Sequence, residues 1–179
     1  MDNREYRKAV DDYGDMVYRI ALAQTRSAAD ADDVTQAVFL KLYEKPPADT
    51  APERLKPWLI RVTVNECRSL WRTLWRRRVE LREVRDADMA PPAFDEPDHE
   101  ALYAALGELP EKCRIVVHLF YFEDYSTREI AVILGVKEPT VRTRLARARK
   151  LLRQQLKEAW NDEQPEPVQS HDGRHPCSC

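Results

Sequence analysis

A chain of 179 residues has room for one ordinary domain or two small ones, and 43% hydrophobic residues exclude wholesale disorder. The formal net charge of −2 announces no nucleic-acid partner, while 34% charged residues suit helices with large solvated faces. No apolar run reaches the length of a membrane span, and the opening MDNREYRKAV lacks the apolar stretch of a secretory leader, so no membrane insertion and a cytoplasmic location are expected.

Tyr13, Met16, Val17, Ile20 and Ala21 recur at helical spacing and predict a first helix. Val34, Ala37, Val38 and Leu42 predict a second over residues 30–44, with Asp30, Asp32 and Asp33 at its start, where the helix dipole favours acids. Pro46, Pro47, Pro52 and Pro57 mark the stretch up to residue 57 as a stiffened loop. A long helix is expected from Pro57, a suitable first-turn residue, to Arg78. Its apolar positions are Ile60, Val64, Cys67, Leu70 (or Trp71) and Leu74. Residues 61–78 carry six arginines against the single acid Glu66.

The next stretch, 84–97, holds Pro91, Pro92 and Pro97 among acids and predicts a flexible linker. No Lys or Arg stands between Asp86 and Glu111. Helical spacing resumes at Ala101, Leu102, Ala105 and Leu106, and Pro110 opens another helix, EKCRIVVHLFYF. Two further helices follow, with a second basic block over 138–153: Arg142, Arg144, Arg147, Arg149, Lys150 and Arg153 against Glu138 alone. A neutral total thus hides two basic blocks separated by an acidic stretch. The expected fold is all-α: two small helical domains, 1–83 and 98–160, then a disordered tail over 161–179.

Cys67 and Cys113 sit singly inside helical patterns and read as small apolar residues. The tail clusters His171, His175, Cys177 and Cys179, which could ligate zinc or, through Cys177 and Cys179, form a redox pair, but C-x-C is tighter than the common zinc spacing and the surrounding chain is polar, so a plain appendage without a metal site is expected. Gly14, Gly107, Gly135 and Gly173 are isolated, which leaves no phosphate-cradling loop, and neither HExxH nor GxSxG occurs. The expectation is a protein without catalysis or cofactor of its own.

The segment STREIAVILGVKEPTVRTRLARARKLL, residues 126–152, has the grammar of a helix-turn-helix. Ser126 and Glu129 hold the spacing of a capping box, Ile130, Ala131 and Leu134 give an apolar face, and Gly135 stands where the chain must leave the helix sharply. Laid out at helical periodicity, Val141, Leu145, Ala148 and Leu152 fall on one side of the next helix. Pro139, Thr143, Ala146, Arg147 and Lys150 fall opposite, flanked by Arg142 and Arg149. Arginines beside a small alanine suit a major groove. An ordinary helical hairpin with a solvated basic face is the plainer alternative.

Residues 105–152 as a whole resemble the promoter-binding region four of bacterial sigma factors. DADDVTQAVFLKLYEK resembles the core helix of their region two, and LKPWLIRVTVNECRSLWRTLWRRR the helix after it, which meets the upstream part of the minus-ten element. Nothing resembles the middle domain of the larger members, which points to the extracytoplasmic-function group. The resemblance implies Asp33, Gln36 and Leu40 as polymerase-docking residues, with Ala37 standing where the family usually has an acid. It implies Trp58, Arg61, Asn65, Arg68, Arg72 and Arg76 toward the minus-ten element. Toward the minus-thirty-five element it implies Thr140, Arg142, Thr143, Arg144, Ala146, Arg147 and Lys150. Core packing is the better account of Val34 and Phe39, and serves Trp58 as well as base stacking does. The loop 45–54 corresponds to the family's base-capturing loop but lacks its aromatic-Arg-Gly sequence. Implied partners are core RNA polymerase (largest-subunit clamp helices and beta flap), promoter DNA and an anti-sigma factor. The alternatives are a stand-alone helix-turn-helix regulator, which needs no docking helix, and a protein-only adaptor, which leaves both basic blocks unexplained.

Overall fold

The computed structural model describes residues 1–80 and 100–162, with side chains described except at 74–80, 100, 101, 103 and 157–162. The stretch expected to be a linker, 84–97, and the tail beyond Asp162 lie outside the described residues. Every described element is a helix.

The first three helices form one packed group. α1, Asn3–Thr25, opens on a capping box in which Asp2 accepts from the Glu5 N–H at 2.7 Å and the Glu5 carboxylate accepts from the Asp2 N–H at 2.9 Å. It ends at Arg26, whose φ of 61° is left-handed. Ser27 caps α2, Ala28–Glu44, by accepting from the Asp30 N–H. α3 spans Pro52–Glu80. Ile20, Leu42, Leu59 and Ile60 are fully buried between the three helices, and each side chain of that size contributes about 1.5–3 kcal/mol by leaving water.

One boundary differs from expectation. α3 begins five residues before Pro57, so Pro52 takes the first turn and Pro57 lies inside the helix. Pro52 opens the helix at little cost, because the first N–H groups of a helix have no acceptor within it. Pro57 comes barely one turn later and forfeits one backbone bond, to the Glu53 carbonyl. The loop between α2 and α3 is therefore shorter than predicted, and Glu53 and Arg54 are helical.

The second group comprises α4 (Glu100–Glu108), α5 (Glu111–Tyr121), α6 (Thr127–Leu134) and α7 (Glu138–Asp162). α5 buries Cys113, Ile115, Val116, Val117, His118 and Leu119, nearly all round its circumference. Such a helix must be covered on several sides, and α6, α7 and α1 cover it. The two groups also touch where α3 meets α6.

Candidate nucleic-acid interface

The helix-turn-helix is built as its sequence requires. At the head of α6 the Glu129 N–H donates to Ser126 Oγ at 3.3 Å, while Glu129 Oε2 accepts from the Ser126 N–H at 2.9 Å and from its hydroxyl at 2.6 Å. These bonds, the hydroxyl's first, hold the Glu129 carboxyl below the usual carboxylate range. Gly135 ends the helix with φ 63°, and the Val136 N–H then reaches back to the Ala131 carbonyl at 3.0 Å.

α7 turns one side inward and the other out. Val141, Leu145 and Ala148 are buried, and Leu152 is half-buried. Pro139, Arg142, Thr143, Ala146, Arg147, Arg149 and Lys150 are exposed, so the basic face of the periodicity is a surface. Thr140 and Arg144 are half-buried. Arg144 lines a hollow with Pro110 and Lys112, and its Nη1 is buried without a hydrogen-bond partner.

Two contacts on this face escape periodicity. Glu138 Oε1 accepts from Thr127 Oγ1 at 2.8 Å and from Arg142 Nη2 at 2.7 Å, tying the start of α7 to α6 and fixing the Arg142 guanidinium. The Thr127 hydroxyl, then Arg142, holds the Glu138 carboxyl low. Arg149 Nε donates to the Tyr121 hydroxyl at 2.9 Å and packs against the Phe120 and Tyr121 rings, which fixes it against α5.

On α3 the expected minus-ten residues are spread along one helix but do not all face solvent. Trp58 is half-buried against the core. Asn65 and Arg72 are exposed, and Arg76 has no described side chain. Arg61 and Asn65 border a cleft whose opposite wall runs from Val132 to Gly135 of α6. Arg68 meets Glu111 at 3.6 Å.

α2 offers a third surface. Asp33, Gln36 and Leu40 are all exposed, Leu40 at 54%, while Val34 and Phe39 are buried as expected of core residues. Tyr43 continues the outward stripe at 66% exposure, with its ring edge-on to Tyr6 at 5.5 Å. Sequence reasoning missed Tyr43, although its place three residues after Leu40 was the available signal.

Cys67 is free and buried, and burial, then the nearby Glu111, pushes its thiol up to about 12. Such a thiol is neither a nucleophile nor a metal ligand at neutral pH. No cluster of potential metal ligands occurs among the described residues, and no described helix is long and apolar enough to cross a membrane. The tail residues His171, His175, Cys177 and Cys179 lie outside the described residues.

Comparison with known proteins is consistent along the chain. The family described as Sigma-70 region 2 matches residues 9–77, and Sigma-70, region 4 matches residues 99–152. The chain is 34% identical over 158 residues to the ECF RNA polymerase sigma factor SigE of Mycolicibacterium smegmatis, covering 82% of this chain and 60% of that protein. It is 30% identical to the probable RNA polymerase sigma factor RfaY of Xanthomonas campestris, across 84% of this chain and 40% of that one. It thus spans less than two thirds of either. With the RNA polymerase sigma factor SigV of Bacillus subtilis it shares 31% identity, across 82% of this chain and 88% of the other. Among solved structures, the sigma factor RpoE in complex with the anti-sigma factor NepR from Bartonella quintana superposes with a TM-score of 0.74 at 22% identity, across 86% of this chain and 98% of that one. CnrH in complex with the cytosolic domain of CnrY gives 0.63 at 26% identity, across 88% and 90%.

Proposed function

The chain belongs to the sigma-70 family, in its extracytoplasmic-function group, and from that membership we propose that it binds core RNA polymerase and directs promoter-specific initiation of transcription. The polymerase performs the chemistry; this chain supplies recognition. It acts in the cytoplasm, where polymerase and DNA are.

The observation that carries this reading is the pairing, in one chain, of an outward α2 stripe with an outward basic face on a helix-turn-helix. Asp33, Gln36 and Leu40 present two polar groups and one apolar one on successive turns, a combination suited to a helical partner such as the polymerase clamp. Arg142, Thr143, Ala146, Arg147 and Lys150 present donors beside a small residue, the composition that lets a helix enter a major groove. α7 thus reads the minus-thirty-five element, and α3 meets the minus-ten element through Trp58, Arg61, Asn65, Arg68, Arg72 and Arg76. Half-burial leaves part of the Trp58 indole open to an exposed base.

The domain bounds follow: 1–83 for polymerase and minus-ten contacts, and 98–160 for the minus-thirty-five contact. The beta flap is the docking point of the second domain. An anti-sigma factor is a further partner, as NepR is for the similar sigma factor RpoE.

Run-off transcription with core polymerase on fragmented host DNA tests the reading. Discrete start sites should appear only when the chain is added, and Asp33→Ala with Leu40→Ala should abolish them without loss of helicity. A chain that shifts duplex DNA but never associates with core polymerase would instead be a stand-alone regulator.

A further inference from the structure

Arginines fixed by the rest of the chain are of two kinds here. Arg61, on α3, donates from Nε to the Ile133 carbonyl at 3.1 Å and from Nη2 to the Val132 carbonyl at 3.0 Å. Arg114, on α5, donates from Nη1 to the carbonyls of Ala23 at 2.9 Å and Gln24 at 3.2 Å, in the last turn of α1. These two cap helix ends, where carbonyls stand unpaired, and their guanidiniums are bound to main chain. Arg142 is held differently: by a carboxylate, through Nη2, with its side chain 69% exposed on the outward face of α7.

The carboxylate is that of Glu138, the single acid in the basic block 138–153. On a face turned toward a polyanion an acid repels, and this side chain is 32% exposed. A place in the first turn of α7 accounts for its charge, through the helix dipole, but not for its bonds. An exposed pair four residues apart holds little by itself, because both side chains swing freely. Here the Oε1 that accepts from Arg142 also accepts from Thr127 Oγ1, on α6. Two helices therefore set where the carboxylate stands, and the carboxylate sets where the guanidinium stands. One of the five N–H groups of Arg142 is taken up by Glu138, and four remain for another partner. A fork held in place before DNA arrives loses less freedom on meeting the paired acceptors of a guanine edge.

We propose that Glu138 is a positioning residue for promoter reading: anchored by Thr127, it aims Arg142 at one base of the minus-thirty-five element, while its negative charge weakens binding to every other sequence. That aim rests on the reading of α7 as the groove-facing helix; the chain of bonds from Thr127 through Glu138 to Arg142 does not. Specificity is a difference between two affinities, and Glu138 acts on both. Its repulsion of the phosphates is felt on all DNA, and only the base that engages the aimed guanidinium offsets it.

The test uses the full chain with core polymerase, on a promoter found by the run-off assay and a library of every single-base change in its minus-thirty-five element. Competition binding read by sequencing gives the preference at each position, and circular dichroism checks that each variant keeps its helicity. Arg142→Ala marks the base it reads by losing preference there. Glu138→Ala should lose about fivefold or more of the preference at that same position, within the range of one bidentate contact. Its binding to DNA without a promoter should tighten, because an acid has left the surface. Thr127→Val keeps the charge and removes the hydroxyl, so it should lose preference at that position too. Glu138→Gln keeps an oxygen for both donors and should fall between wild type and Glu138→Ala. Combining Glu138→Ala with Arg142→Ala should change nothing further at that position. Full preference in Glu138→Ala where Arg142→Ala has lost it overturns the proposal and leaves the groove reading standing. Equal loss at every position also overturns it, since Glu138 would then only start α7. Preference kept by Thr127→Val overturns the anchoring. If Arg142→Ala loses preference at no position, the groove reading of α7 fails, and the aim fails with it.

Discussion

Burial lowers the His118 pKa from 6.5 to about 4, against the raising effect of Glu123 and with a smaller lowering effect from Arg19. The imidazole, stacked on the Phe122 ring at 5.2 Å, is therefore neutral at pH 7, and its 3.9 Å approach to Glu123 is not an ion pair. Burial wins because the whole ring is enclosed, while Lys56 and Arg19 already occupy the carboxylate it would need. The linkage runs from a depressed folded pKa: the unfolded chain takes up the proton first, so stability is full above pH 6.5 and falls as pH drops toward 4. The loss reaches at most about 1.4 kcal/mol per pH unit. Urea unfolding between pH 7 and 5 should show wild type losing stability more steeply than His118→Gln, and equal slopes would rule the account out. Sequence placed His118 on a helix, but its burial depends on α1, which the local pattern does not contain.

At the scale of elements, α6 rests on one cap and one turn. Ser126→Ala removes the acceptor for the Glu129 N–H and should cost about 1 kcal/mol. Gly135→Ala meets nothing within 4 Å, so its cost is the left-handed backbone alone, roughly 1–2 kcal/mol. Chemical denaturation of each variant measures both, and a Gly135→Ala protein as stable as wild type would contradict the φ of 63°. On α7, Arg142→Ala and Arg147→Ala should each weaken promoter binding by about 1–3 kcal/mol if they contact bases, with smaller losses on promoters mismatched at the contacted base. Uniform loss on every sequence would reduce them to phosphate contacts. These helices were legible because caps, glycine and apolar period all agreed in one short segment. The start of α3 was not, since Pro52 and Pro57 each suit a first turn and only packing of Leu55, which is buried, chooses between them.

At the scale of the molecule, ion pairs and arginine caps join the halves beside the packing of α1 on α5. Chains 1–83 and 98–160, produced separately, should each be helical and should associate weakly, with an affinity that falls steeply with added salt as the exposed pairs are screened. Titration calorimetry at low and high salt measures this; association indifferent to salt would mean that apolar contact, not charge, joins them. None of the joint was readable beforehand. Arg61 and Arg68 carry the same letters whether they meet a phosphate, a carbonyl or Glu111, and Glu123 looks like an ordinary loop acid in FYFEDYS. The exposure of Asp33, Gln36, Leu40, Arg142 and Arg147 was readable, because it follows from period alone, whereas Thr140 and Arg144 are half-buried.

The arginine caps differ from the ion pairs around them in what they ask of inheritance. Arg61 and Arg114 grip main-chain oxygens, which any residue at positions 132, 133, 23 or 24 supplies equally. Lys56 with Glu123 and Arg68 with Glu111 depend on a second side chain. Across descendants of this sequence, positions 56 and 123 should therefore change in concert, as should 68 and 111, whereas 61 and 114 should hold or vary with no echo in the residues they cap. An aligned set of close relatives gives the measurement: correlated substitution between 61 and 132 or 133 would mean that the grip depends on those side chains after all.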